Sequence, residues 1–229
     1  MSAFAESPDP LAASPRTSPS FETRRLALRE FGLGDEADIV ALHAEERSTN
    51  LLLDGAVRTA AEASLFVRWL GIVYRRHPGL GIWRASTKGD DAFAGFFSLM
   101  PLPGTDDVEI GARLMPRVWG RRLAVEGGRE LLRHAFLHLR LSRVVGLSHP
   151  ANRPVQFVLR QLGFHFAGAQ VHYGKDTLVY GLERRDWEAA QDAALGDIRR
   201  AKAGPGPAQA VPFSAARVSP SRPGATKGF

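Results

Sequence analysis

Residues Val108–Gly128 read VEIGARLMPRVWGRRLAVEGG, and this stretch decides the fold. In its first part Val108 and Ile110 alternate with Glu109, which predicts a strand over 107–115 with Glu109 on the opposite face from its neighbours. Pro116–Gly120 predicts a short turn. From Leu123 to Arg140, Ala124, Leu131, Leu132, Ala135, Phe136 and Leu139 make one apolar stripe, the mark of a long helix. A strand that turns straight into a helix leaves the first helical N–H groups without internal partners, at the positive end of the helix dipole. Arg117, Arg121 and Arg122 add full charges at the same end. The stretch therefore predicts an anion site suited to a phosphate or pyrophosphate, with a solvated basic turn as the alternative. It carries neither G-x-x-x-x-G-K-[ST] nor G-x-G-x-x-G, so it is not a P-loop or a dinucleotide fingerprint.

Working outward, Glu22–Glu30 alternates and predicts a strand. Asp35–Arg47 and Ala60–Tyr74 have helical spacing, the second capped by Thr59, with Leu65, Trp69 and Ile72 on one side. Gly81–Ser86 and Ala92–Pro101 read as a hairpin about a turn at Lys88–Asp91. Arg143–Leu147 is a short apolar strand. Pro154–Leu162 is a short helix with Pro154 in its first turn and Gly163 after its end. Phe164–Ala169 and Thr177–Leu182 complete the strands, and Trp187 to about Ile198 reads as a terminal helix. The strand, long helix and strand at 107–147 predict a parallel unit with a crossover helix. Together the elements predict a single α/β domain, a mixed sheet flanked by helices, over residues 20–198. Residues 1–19 and 199–229 are rich in Pro, Ala, Gly and Ser and are expected to be disordered.

The 229 residues are of ordinary globular composition, 44% hydrophobic and 24% charged, which excludes wholesale disorder. The absence of cysteine excludes a disulfide scaffold, a thiolate metal site and a cysteine nucleophile. The net charge of +6 suggests nucleic acid, but residues 199–229 hold six basic residues and no acid. The rest is then balanced, so the charge marks a tail rather than a basic face. Contact of that tail with nucleic acid or a ribosome is a lesser expectation, its cations being widely spaced. No apolar run reaches the roughly 18–20 residues of a membrane span, and the N-terminus lacks a signal-peptide pattern. A cytoplasmic protein without a membrane partner, monomer or homodimer, is expected. His134 and His138 lie four apart, but no glutamate or third ligand accompanies them. No metal is expected, and the pair reads as surface residues.

VEIGARL-x-PRVWGRRLAVEGGRELLRHAF, followed by RVVGLSHPANRPVQFVLRQLGF, resembles the GNAT N-acetyltransferase superfamily, in particular its ribosomal-protein N-terminal acetyltransferase branch. The opening FETRRLALREF resembles that branch's first strand, so the resemblance spans residues 21 to about 187. It implies acetyl-CoA as cosubstrate, with the pantetheine arm along Arg113, Leu114 and Met115. The pyrophosphate would lie on the amides of Trp119, Gly120, Arg121, Arg122, Leu123 and Ala124, and Asn152 would contact the pantetheine or the sulfur region. The strands ending at Met115 and starting at Arg143 would splay apart to admit the thioester. The family pattern Q/R-x-x-G-x-G/A has its central glycine replaced by Arg122 here. The family's serine after the asparagine is Val155, and the tyrosine acid of many members falls at Leu159.

Amide formation needs a base for the attacking amine and an N–H donor for the developing oxyanion. Glu109 is the candidate base, through water, or else a structural or substrate-orienting carboxylate. An amide near Leu114 is the candidate donor. Tyr173 and His149 are weaker candidates for the acid, and Trp69, Trp83 and Phe97 line either an acceptor cleft or the core. The expected activity is acetyl transfer to a primary amine, a protein N-terminus or a small molecule. The alternative is a CoA-binding module that has lost catalysis, for which Arg122 and Val155 speak.

Overall fold

The computed structural model describes residues 19–46 and 59–203. The expected disordered flanks fall largely on residues 1–18 and 204–229, outside the described residues. The chain divides into two compact units, Met1–Ala190 and Gln191–Phe229. The first holds one eight-stranded sheet, and the second includes the later turns of the last described helix.

Where one strand was expected over 22–30 there are two, β1 (Phe21–Glu22) and β2 (Leu26–Glu30). The Thr23 hydroxyl accepts the Leu26 N–H at 2.9 Å, while the Thr23 N–H donates to the Leu26 carbonyl at 2.9 Å. Alternation in the sequence continued through this turn and concealed it. Glu126, further along the chain, binds the same turn. It accepts from the Thr23 hydroxyl at 2.6 Å and the Arg25 N–H at 2.8 Å, and pairs with the Arg25 guanidinium at 2.7 Å. Burial opposes ionisation of Glu126, but these hydrogen bonds and the Arg25 charge outweigh it and hold the carboxyl below its usual range.

Helix α1 (Glu36–Ala44) starts at Asp35, which accepts both Arg29 guanidinium nitrogens at 2.7 and 2.8 Å. Helix α2 (Ala60–Arg76) starts at Thr59, the cap expected from sequence, which forms a reciprocal capping box with Glu62. Leu65, Trp69 and Ile72 share a side of α2, but that side faces solvent; Ala63, Val67, Leu70, Val73 and Tyr74 are the buried residues. Strands β3 (Gly81–Thr87), β4 (Phe93–Pro101) and β5 (Val108–Leu114) follow as an antiparallel meander. A 3₁₀ turn at Pro116–Val118 leads into α3 (Leu123–Arg133), which ends in a π-helical turn at His134–His138. Then come β6 (Arg143–Ser148), α4 (Arg153–Gln161), β7 (His165–His172), β8 (Lys175–Glu183) and α5 (Arg184–Ala203).

The strand order is β1-β2-β3-β4-β5-β6-β8-β7, antiparallel except for the β5–β6 pair that the crossover helix α3 connects. One face of the sheet packs on α3 and α4 through Phe97, Leu99, Ile110, Leu131, Phe136 and Leu159. The other packs on α1 and α2 through Ile39, Leu42, Val67, Leu70 and Phe96. Trp83 and Phe97 are fully buried, so both belong to the core and neither lines a cleft. His134 is also buried, a correction to its reading as a surface residue. It donates Nε2–H to the Gly79 carbonyl at 2.9 Å and packs on Phe21, and burial lowers its pKa.

Candidate active site

The centre of the sheet opens where β5 and β6 part. These parallel strands share one register pair, Glu109 with Val145, near their starts, and diverge beyond it. The Met115 N–H donates back to the Ala94 carbonyl on β4 at 2.9 Å. In an antiparallel pair the N–H groups alternate in direction, so those of Ala112 and Leu114 are directed to the β6 side. No further β5–β6 register pair is formed beyond Glu109–Val145 among the described residues, so these N–H groups point toward the side from which β6 departs. Arg113, Leu114 and Met115 lie on this rim. Trp119 is pinned beside them by its indole N–H, which donates to the Leu114 carbonyl at 2.8 Å.

The chain then enters α3 through two left-handed residues, Gly120 (φ 75°) and Arg122 (φ 60°, ψ 19°). Among the described residues, the N–H groups of Gly120 to Val125 have no hydrogen-bond partner. They form a run of donors at a helix N-terminus, which is the geometry an anion requires. Arg121 and Arg122 are exposed there, while Arg117 turns away to donate to the Phe93 carbonyl. The first-turn carboxylate that would oppose an anion, Glu126, is engaged by the β1–β2 turn.

The left-handed backbone explains the glycine of the family pattern at this position: a residue without Cβ adopts it at no steric cost. Arg122 adopts it too, and its guanidinium runs along the surface to the Gln161 side chain at 3.4 Å. Arg122→Gly is expected to stabilise the fold by about 1 kcal/mol, the lower end of the left-handed cost for L-residues. A urea unfolding curve checks it; a lower midpoint would show that the Gln161 contact outweighs the backbone strain.

Asn152 caps α4, its Oδ1 accepting the Val155 N–H at 3.3 Å, which leaves its side-chain NH₂ without a partner among the described residues. His149 serves the turn before it, its Nδ1 accepting the Ala151 N–H at 3.1 Å. Leu159 is buried against Gly146 in the core. Tyr173 sits at the tip of the β7–β8 hairpin with φ 51°, followed by Gly174 at 72°, a turn geometry that matches the twist of the strands.

Glu109 is half-buried, opposite Met100 on β4. Its neighbours Val108 and Ile110 enter the α3 core, so the alternation read from sequence holds, and Glu109 shares the α1–α2 face with Gly111 and Arg113. Three features of that face were not expected from the sequence. The buried Arg113 side chain donates Nη1–H to His43 Nε2 on α1 at 2.7 Å and lies over the Phe96 ring. An arginine is always a donor, so this His43 nitrogen is the acceptor. Ser98 stands opposite Gly111, its Oγ 2.6 Å from where a Cβ on that glycine would be. A cavity of about 230 Å³ lies between the end of α2 and the end of β4. Helix-to-sheet neighbours of this kind depend on tertiary packing, which no local spacing records.

Among the described residues no group of three or more His, Cys, Asp or Glu side chains is placed to hold a metal ion, and no helix is long and apolar enough to cross a membrane.

The profile of the acetyltransferase (GNAT) domain matches residues 25–165. FsC-acetyl coenzyme A-N(2)-transacetylase of Aspergillus fumigatus is 30% identical over 198 residues, 79% of this chain and 83% of that protein. A GCN5-related N-acetyltransferase of Brucella melitensis superposes with a TM-score of 0.63 at 21% identity, over 80% of this chain and 86% of its own. The ribosomal-protein-S5-alanine acetyltransferase of Vibrio fischeri does so at 0.59 and 16%, over 74% and 99%. The two structural likenesses carry the fold; the sequence matches carry the family. A mixed sheet that opens between two parallel strands, beside a donor-lined helix entry, is thus matched in sequence as well as in shape, and the chain belongs to the GNAT family of N-acetyltransferases.

Proposed function

We propose that the protein moves the acetyl group of acetyl-CoA to a primary amine by direct transfer, with residues 20–198 as the catalytic domain. The observation that supports this best is the opening between β5 and β6 next to the run of N–H groups from Gly120 to Val125. One end suits an extended amide-bearing arm and the other a pyrophosphate, so the residues present fit acetyl-CoA. In this reading Arg113, Leu114 and Met115 hold the arm by their backbone, Trp119 to Ala124 hold the phosphates, and the Asn152 NH₂ donates to the arm. The name of the Aspergillus relative, an acetyl coenzyme A-N(2)-transacetylase, agrees with this class of acceptor. The likeness to a ribosomal-protein acetyltransferase is one of fold, and the N-terminus of a protein stays beside small amines as an acceptor.

Acetyl-CoA supplies an activated acyl group whose C–S bond breaks as the N–C bond forms. Glu109 accepts the proton that the amine loses, directly or through one water, and passes it to solvent. The amides of Ala112 and Leu114 are directed to where negative charge develops on the acyl oxygen. The thiolate that leaves takes its proton from solvent, since Leu159 has none to give. The alternative, a degenerate CoA-binding module, loses much of its support because Arg122 keeps its backbone N–H in the loop and lays its side chain against Gln161.

Calorimetric titration with acetyl-CoA tests the reading. Binding in the micromolar range, about −8 kcal/mol, is expected, and thiol release should follow when primary amines are added. No detectable binding would overturn the assignment.

A further inference from the structure

On the α1–α2 face, the middle of β4 and β5 carries two small residues side by side. Ser98 on β4 stands opposite Gly111 on β5, and the next pair on that face is Met100 with Glu109. In the other direction the next pair is Phe96 with Arg113. Phe96 and Arg113 are buried, whereas Ser98, Met100, Glu109 and Gly111 are part-exposed. Solvent therefore reaches the centre of the sheet beside Glu109, over the serine and the glycine.

The backbone does not require a glycine at 111, since this residue is not among those with positive φ. A glycine inside a strand weakens it and marks a close approach of another group. Here the approaching group is the serine hydroxyl. A Cβ on Gly111 would stand 2.6 Å from Ser98 Oγ and, its chain neighbours aside, would meet nothing else within 4 Å. Gly111 thus clears the space in which the hydroxyl lies. That hydroxyl makes no hydrogen bond with any described residue, Glu109 included. It offers one donor and two acceptor positions. Ser98 and Glu109 are diagonal neighbours across the strand pair, a relation that sets residues about 7–8 Å apart. Serine is short, and a gap of this kind between a hydroxyl and a carboxylate suits one bridging water.

We infer that Ser98 is a positioning residue for the transfer, holding the water through which the amine proton reaches Glu109. The inference rests on the acetyl-transfer reading above, with Glu109 as base, and adds a residue to it. The water accepts the proton that the amine loses as the N–C bond forms, and gives one of its own to the Glu109 carboxylate. Its other O–H donates to Ser98 Oγ, so the serine neither gains nor loses a proton. What the serine supplies is direction: with both O–H groups engaged, the water turns a lone pair to the amine. Without the hydroxyl the water keeps Glu109 as its one partner on the protein, and that orientation is lost.

Two measurements test it. A crystal structure of the protein with acetyl-CoA should show a water within hydrogen-bond distance of both Ser98 Oγ and a Glu109 carboxylate oxygen, and Ser98→Ala should lose that water. Thiol release is then followed with ethylamine, benzylamine and hydroxylamine as acceptors at saturating acetyl-CoA. Ser98→Ala should lower kcat about tenfold, the upper end of the effect of one neutral hydrogen bond, with acetyl-CoA affinity unchanged. In a Glu109→Gln background the same change should cost about twofold or less, because the water then has no base to serve. Gly111→Ala should reproduce the loss by displacing the hydroxyl, and should add little to Ser98→Ala, where the new methyl has no hydroxyl to meet. The absence of a shared water would overturn the inference, as would full activity in Ser98→Ala or losses that simply multiply in either pair of variants. Absence of acetyl-CoA binding, of thiol release with all three acceptors, or of any loss in Glu109→Gln would instead overturn the parent reading.

Discussion

Glu109→Gln is expected to lower kcat by about 10²–10³, within the usual range for loss of a positioned general base, while acetyl-CoA affinity stays the same. Glutamine keeps the size and the strand register of glutamate, so β5 and its pairing with Met100 and Val145 should persist. What is lost is the ability to take a proton. That loss has a signature a structural role would not give. As the pH rises far enough for the acceptor amine to deprotonate in solution, less is asked of the base, and the deficit of the variant should shrink. The measurement is the pH profile of kcat/KM for both proteins, with acetyl-CoA titration alongside. A deficit that is constant with pH, or an affinity for acetyl-CoA that falls with kcat, would assign Glu109 to orientation or folding instead of proton transfer.

The central architecture was legible because it is local. Alternation in Val108–Leu114, the turn at Pro116 and the stripe of α3 are recorded in consecutive residues, and the parallel β5–β6 pair follows from the need of a crossover helix. The Thr59 cap, the hairpin turn at Lys88–Asp91 and the glycine after α4 were legible for the same reason. The failures also share a cause. The break between β1 and β2 depends on Glu126, about a hundred residues away, which binds the turn. The burial of His134 depends on the Gly79 carbonyl, and that of Trp83 and Phe97 on the helices packed over the α3–α4 face of the sheet. For the candidate site, alternation put Glu109 on the opposite face from Val108 and Ile110, as it stands in β5, and the basic turn marked the entry to α3. The sequence named Trp69, which does line the cavity, but could not see Arg76, Met100 or the Arg113–His43 contact. Those residues meet only after α1 and α2 are laid on the sheet.

Gly95→Ala is expected to be the most damaging single methyl in the molecule. Gly95 lies in β4 opposite Leu114, with φ +123°, which L side chains rarely adopt. A Cβ there would stand 2.2 Å from the Arg113 carbonyl oxygen and 2.7 Å from the Leu114 Cα. Both are backbone atoms of the neighbouring strand, so no rotamer change relieves the overlap; β4 and β5 must separate. The expected cost is about 4 kcal/mol or more, the range reserved for substitutions that break a specific constraint. Against a total of about 5–15 kcal/mol for a natural domain, little folded protein should remain near 37 °C. Gly104→Ala isolates the backbone part of this cost. Gly104 also has a positive φ, 78°, but nothing lies within 4 Å of its Cβ position, so only the conformational penalty of about 1–2 kcal/mol applies. Urea midpoints for the two variants should therefore differ widely, with Gly95→Ala far lower. Similar midpoints would mean that the β4–β5 pair yields easily. The rim of the opening that Arg113 and Leu114 form would then be a pliable edge, not the fixed backbone template on which acetyl-CoA binding is argued to depend.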